Sequence, residues 1–501
     1  MPRSYERLLE LSREISALAS IGNLLTWDQQ VYMPVKGAAG RSEHRALIAG
    51  LVHQRIASDE LHDLLLEIDG SGASDSLAPE AKANIRELRR ESARARKVPA
   101  TLVEEIERTI GSAHQPWIEA REHDEFRRFA PWLEKLVRLE KEWADAIGYP
   151  DEPYDALLDL HEPGMQTRDI ARFFHALCSE LRPLIDAISS AQLQPDTSVL
   201  HRGFDAETLH RFSVGVAKQM GFDFGAGRMD RSTHPFCCGV TMTDVRVTTN
   251  FNELNPIDSL FATIHEVGHG LYHQGLLPDH RGTPMGSAVS LGVHESQARW
   301  WENVIARSHA FWQHFLPGLK AAFPGVLDGL RLDEFLLAIN AVKPSLVRVE
   351  ADEVTYNLHI VLRVELERAM LNGELEVTEL PAAWDSKVAH YLGLRPQRLA
   401  EGVLQDIHWA QGMFGYFATY TLGNCLAAQV DSTLRSEMPD LDEQIARGEF
   451  GDALEWMRVH IHRRGSLYPP NELVQQVTGR PLDSQDFLAY LRRKYGSLYG
   501  L

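Results

Sequence analysis

Between residues 264 and 270 the chain reads Ile-His-Glu-Val-Gly-His-Gly, inside a stretch whose apolar spacing predicts a helix from about Pro256 to about Gly275. Residues four apart lie one turn above each other on the same helical face, so His265 and His269 can aim imidazole nitrogens at one tetrahedral cation. Glu266 sits beside that face, placed to touch a water rather than the ion. Asn255-Pro256-Ile257-Asp258 offers cap-type residues and a first-turn proline, and Phe261, Ile264 and Leu271 give the helix an apolar side to bury. The fold therefore has to bury this helix and bring one more donor to it.

Glu295, in His294-Glu295-Ser296-Gln297, is the strongest candidate for that donor, because a short helix–loop–helix return carries it back beside the first helix. His273 and His294 compete with it. A His-His-Glu set leaves a fourth position open, and an open position means catalysis. Zinc brings the pKa of a bound water towards about 7, Glu266 accepts its proton, the hydroxide attacks a carbonyl, and Glu266 returns the proton to the leaving amine. Ahead of the helix, Gly239 to Thr249 is β-branched and partly alternating, which predicts a short sheet or hairpin. Its edge could receive an extended peptide as a further strand, which points to a peptide substrate.

Composition narrows the partners. With 51 basic against 70 acidic residues the net charge is −19, which disfavours nucleic acid and anionic membranes. No run of about 18 apolar residues predicts a membrane span. Four cysteines (Cys178, Cys237, Cys238 and Cys425) are too few and too scattered for a disulfide framework, and Met1 to Ile21 has no uninterrupted apolar core of a secretory signal, so a cytoplasmic protein is expected.

Most of the remaining chain carries helical periods. A stripe through Leu8, Leu11, Ile15, Leu18 and Leu25 breaks at Thr26-Trp27-Asp28, a second pattern covers Ser42 to Ser58, and Asp69 to Ser76 reads as a loop. From Pro79 to Lys97 the bases Arg86, Arg89, Arg90, Arg94, Arg96 and Lys97 interleave with Glu80, Glu87 and Glu91, as on a salt-bridged, solvated helix face. Leu346-Val347-Arg348-Val349 reads as a short β-prone step. Without a composition shift or a repeat, the expectation is one mainly α unit over 1–501, with an N-terminal helical region to about 165 and a catalytic region from about 166.

The pair His265-Glu266-Val267-Gly268-His269 and His294-Glu295-Ser296-Gln297 resembles the M32 metallocarboxypeptidases, the thermostable carboxypeptidase family. Further matches are Trp27-Asp28-Gln29, His234-Pro235-Phe236, Asp244-Val245-Arg246-Val247-Thr248-Thr249, Val347 to Asp352, Gly402 to Trp409, Phe414 to Phe417 and Tyr420 to Asn424. The resemblance spans nearly the whole chain. It implies a large helical zinc-peptidase body, saddle-like, with a long groove and a small β-sheet next to the metal helix, usually a homodimer. It also implies release of single C-terminal residues from peptides with broad specificity, using zinc or sometimes cobalt. Cys237-Cys238 and His273 depart from the family's pattern.

Within that resemblance, a carboxypeptidase needs a fork of donors for a free carboxylate, and Arg348 is the first candidate, Arg246 the second, each with an ion pair to a nearby acid as the alternative role. His408 and Tyr420, then His234 and Tyr416, are candidate donors to the oxyanion or the peptide backbone. Asp406 and Asp352 are candidates for orienting ligand imidazoles. Two other functions fit the same metal motif: an endo- or oligopeptidase, and a non-catalytic peptide-binding scaffold.

Overall fold

The computed structural model describes residues 3–70, 76–251 and 256–501. Residues 71–75 of the expected loop and the expected cap residue Asn255 lie outside that range. About 70 % of the chain is helical, and one three-stranded sheet accompanies the helices. Among the described residues no helix is long and apolar enough to cross a membrane.

Contacts gather the chain into two compact units. The first comprises residues 1–96, 195–339 and 423–482, the second residues 97–194, 340–422 and 483–501. Each unit draws on three separated segments, so neither is a continuous N- or C-terminal stretch.

In the first unit, helix Arg3–Val31 buries Tyr5, Leu8, Leu11 and Ile15 against Leu61, Leu65, Ile68, Ile85 and Leu88. The helix does not stop at Thr26-Trp27-Asp28. Leu18 and Leu25 of the stripe are only half-buried, whereas Trp27 is buried with the Arg246 guanidinium 4.1 Å from its ring centroid, a contact with the sheet. Helix Pro79–Lys97 carries ion pairs within itself as expected, Arg86 and Arg90 to Glu87, and others to a neighbouring helix, Arg89 to Asp69 and Arg96 to Asp59.

The sheet consists of β1 (Gly227–Arg231), β2 (Cys237–Thr241) and β3 (Asp244–Thr249) in the order β1-β3-β2, with β1 parallel and β2 antiparallel to β3. The strand immediately before the metal helix is thus central rather than an edge. Its two hydrogen-bonding sides are already used, and the edges available for a further strand are β1 and β2. Asn23 Nδ2 from the first helix donates to Gly239 O of β2 at 3.3 Å, so that edge is partly covered.

The metal helix spans Pro256–Gly275 and buries Ile257, Leu260, Phe261, Ile264, Val267 and Leu271 almost completely. Its glycines weaken it locally by about 1 kcal/mol each relative to alanine. Two of them permit close packing instead. A Cβ on Gly268 would lie 2.7 Å from Ala298 Cα on the following helix, Leu291–Arg299, and one on Gly270 would lie 2.7 Å from the Phe222 ring and 3.3 Å from Val247 of β3. The helix is clamped between a helix and the sheet, and the clamp sets where its histidines stand.

The described residues of the second unit form helices joined by turns and loops, with no strand. Helices Ala100–His123 and Ala130–Ile147 pair, as do Tyr356–Leu371 and Leu380–Leu392, around buried Tyr154, Leu157, Leu177, Leu362, Trp384 and Tyr495. The β-prone step at Leu346–Val349 forms no strand, and Arg348–Glu350 is a single 3-10 turn. No neighbouring strand is present to pair with it; the Gln405 side chain takes that part, accepting from Arg348 N at 2.8 Å and donating to Leu346 O at 3.0 Å.

Candidate functional site

In the first unit His265, His269 and Glu295 present ligand atoms that all lie within 4.8 Å of one another, the one such cluster among the described residues. Glu295 Oε2 is 3.8 Å from His265 Nε2 and 3.5 Å from His269 Nε2. Donors around a tetrahedral zinc with bonds of about 2.0–2.1 Å stand about 3.4 Å apart, so these separations are close to what one shared ion requires. Two imidazoles and a carboxylate are also the donor chemistry of catalytic zinc, leaving a coordination position unfilled by protein.

A ring of charge fixes these donors. His265 Nδ1 donates to Glu302 Oε2 at 2.9 Å, which leaves Nε2 as the lone-pair donor. Arg299 joins the two acids, donating from Nε to Glu295 Oε1 at 2.7 Å and from Nη1 to Glu302 Oε2 at 3.2 Å. Burial alone would raise both carboxyls, but Arg299 and the histidines outweigh it and hold Glu295 and Glu302 well below the usual carboxylate range. Glu302 lies in a π-helical stretch, Trp300–Ile305, that continues helix Leu291–Arg299. Neither Glu302 nor Arg299 was singled out from sequence, although Glu295, Arg299 and Glu302 recur at steps of four and three, the spacing of one helical face.

Glu266 is buried and turned to the same cluster. Burial raises its pKa, the adjacent histidines draw it back, and Glu295 and Glu302 add to the rise, so the net shift is upward. A carboxyl poised closer to neutrality is a better proton acceptor from water than one at its ordinary value. Behind His269 stacks His294, with ring centroids 4.3 Å apart and planes at 12°. The Nε2 atoms of His294 and His273 are 3.1 Å apart, so these two competitors for the third-ligand position are engaged with each other. Burial lowers both, His273 to about 4, and neutral rings can share one N–H between them.

The other residues proposed from sequence fall into two groups. In the first unit Arg246 forms a bidentate pair with Asp244, at 2.8 and 2.9 Å, and stacks on Trp27, while His234 is exposed on the β1–β2 connection. In the second unit Arg348, His408, Tyr416 and Tyr420 cluster. Arg348 is buried, with Nε and Nη2 each 2.9 Å from Asp406 Oδ1 and Nη1 donating to Tyr356 OH at 3.0 Å. His408 Nε2 lies 3.1 Å from Tyr420 OH, and Tyr416 packs edge-on to Tyr420 with centroids 5.4 Å apart.

Asp406 also receives Arg363, from Nε at 2.7 Å and Nη2 at 2.6 Å on Oδ2. Arg363, fully buried, was missed from sequence, since nothing in a helical Leu-Arg-Val-Glu run marks it. Asp352 does not orient an imidazole. It accepts from the backbone of Lys343, Val354 and Thr355 and from the Thr355 hydroxyl, fixing the entry to helix Tyr356–Leu371.

A family model described as carboxypeptidase Taq (M32) metallopeptidase matches residues 7–495. Thermostable carboxypeptidase 1 of Thermus thermophilus is 44 % identical over 506 residues, covering 99 % of each chain, and its namesake from Pyrococcus furiosus is 37 % identical over 98 % of each. The crystal structure of the M32 carboxypeptidase from Deinococcus radiodurans R1 superposes with a TM-score of 0.95 at 38 % identity, covering both chains fully. With a His-His-Glu cluster beside a buried glutamate and a family match along nearly its whole length, this chain belongs to the M32 family of metallocarboxypeptidases.

Proposed function

We propose that the chain is a zinc-dependent carboxypeptidase that releases single C-terminal residues from peptides with broad specificity, working as one unit over 1–501. The observation that carries the zinc assignment is the spacing of Glu295 Oε2 from the two histidines, 3.5 and 3.8 Å, with His265 held in the tautomer that ligates through Nε2. A bound divalent ion would supply Lewis acidity towards the scissile carbonyl and the attacking water.

The protein's own residues do the rest. His265, His269 and Glu295 hold the ion. Glu266 takes a proton from the attacking water at its carboxylate and hands it to the departing amine. Support for Arg348 as receptor of the substrate's terminal carboxylate comes from charge. Arg348 and Arg363 share the single carboxylate of Asp406, and burial together with Arg363 keeps His359 neutral, so these four side chains together carry one net positive charge. An arriving carboxylate balances it. Arg246, fully paired with Asp244, is the weaker candidate for that task. His408 and Tyr420 donate to the developing oxyanion, with Tyr416 and His234 as contacts to the peptide backbone.

The free thiols of all four cysteines accord with a cytoplasmic location, and light scattering on the purified protein tests the homodimer that the family resemblance implies. Glu266→Gln should retain stoichiometric metal while losing at least about a thousandfold in kcat. Near-normal turnover by that variant would remove Glu266 from the mechanism. A peptide with an amidated C-terminus should resist cleavage; efficient hydrolysis of it would instead indicate an endopeptidase.

A further inference from the structure

Helix Tyr356–Leu371 grips the segment that carries His408 at two points one turn apart. Arg363 holds Asp406, as described. Four residues on, Glu367 is wholly buried and both of its oxygens are used: Oε1 accepts from Trp409 Nε1 at 2.9 Å and Oε2 from Gly415 N at 3.2 Å. Those two donors bracket a loop with His408 immediately before it and Tyr416, Phe417 and Tyr420 immediately after it.

The loop has little freedom of its own. The His408 carbonyl accepts from Gln411 N at 3.0 Å and Met413 N at 2.9 Å, which ties the histidine's backbone to the turn. Gly412 and Gly415 have φ of 66° and 76°, where a side chain is strained. A Cβ on Gly415 would stand 2.6 Å from the Leu157 backbone, so this stretch is pressed against helix Pro153–His161. A Cβ on Gly412 would lie 3.1 Å from Glu140 Oε1, which places a second buried carboxyl beneath the middle of the turn. Trp384 supports the Trp409 ring edge-on, with centroids 6.0 Å apart.

We infer that Glu367 is a positioning residue for the reaction: by holding both ends of the 409–415 loop it sets the separation at which His408 and Tyr420 meet, 3.1 Å in this structure. This rests on the reading that His408 and Tyr420 act on the substrate. A carboxyl group suits the task because each of its two oxygens, ionised or not, keeps a lone pair that can accept an N–H. Its amide isostere has one oxygen, so one of the two donors faces an NH2 group and the loop must shift at that end.

The test uses the full-length, metal-loaded enzyme with a short peptide substrate. Glu367→Gln should keep wild-type metal content and a KM within about twofold while kcat falls about tenfold or more, because a displacement of less than 1 Å at donors to developing charge costs rate rather than binding. Trp409→Phe keeps an aromatic side chain, smaller than the indole, and removes the N–H; it should lower kcat by several-fold with the same KM pattern. The double variant should lose less than the product of the two single losses, since both changes act on the ties of one loop. Should Glu367→Gln fold poorly, Trp409→Phe decides the matter by itself.

Wild-type kcat in Trp409→Phe, or in a folded Glu367→Gln, with His408→Ala and Tyr420→Phe disabled, would overturn the role of Glu367 and leave the site reading standing. His408→Ala and Tyr420→Phe both at wild-type rates would overturn the site reading and this inference with it.

Discussion

Glu302 never appears in the ligand set, yet it decides which nitrogen of His265 faces the ion. Its carboxylate takes the Nδ1 proton at 2.9 Å, and Arg299 holds that carboxylate against the one on Glu295. Glu302→Ala should therefore weaken metal binding about 10- to 100-fold without removing a ligand, measured by competition with a chromogenic chelator. Unchanged affinity would show that the ring is held by packing alone. The histidines and Glu266 were legible in sequence because their chemistry depends on a spacing of one helical turn. Glu302 and Arg363 were not, because their partners are 37 and 43 positions away and only folding brings them together.

The metal helix shows how an element can be predicted from its pattern and still owe its use to its neighbours. Pro256–Gly275 is where the apolar spacing placed it, although its glycines argue against a stable isolated helix. Gly268 earns its place at the crossing with helix Leu291–Arg299, three residues after Glu295 on the chain's way to Ala298. Gly268→Ala should cost about 1–3 kcal/mol of stability by overpacking, because the obstructing atom is backbone and cannot rotate away. It should also weaken metal binding, as the helices bearing His265 and Glu295 are forced apart. A variant with unchanged melting temperature and metal affinity would mean that the crossing can yield. Trp27 is the opposite lesson: its period ends in sequence, yet the helix runs on to Val31, with an arginine from the sheet seated on the Trp27 ring.

For the molecule as a whole, the buried acids of the second unit should dominate how stability changes with pH. Burial, reinforced by Glu107 and Glu367, raises Glu140 from 4.5 to about 8; burial likewise raises Glu367 to about 8 against its hydrogen bonds from Trp409 and Gly415. A raised carboxyl binds its proton more tightly in the folded state. Its contribution is full below about pH 4.5 and is lost as pH rises through 8. Glu140→Gln stays neutral throughout, so it should match the wild type near pH 5 and exceed it near pH 9 by an amount on the order of a few kcal/mol. Melting curves of the two proteins that remain parallel from pH 5 to 9 would contradict this assignment.

Sequence alone determined the mainly helical class, the His-Glu-x-x-His helix, the small sheet before it and the family, since these follow from local periodicity and from motifs that are short along the chain. Only the tertiary structure decided that β3 is the central strand and that Arg348 shares Asp406 with Arg363. It also decided that each compact unit is assembled from three separated segments. Strand order, buried charge sharing and unit membership depend on which distant residues meet, and helical or strand periodicity carries no record of that. The opening motif thus fixed what chemistry the chain can perform, while Glu302, Arg299 and Gly268 fix where its atoms stand to perform it.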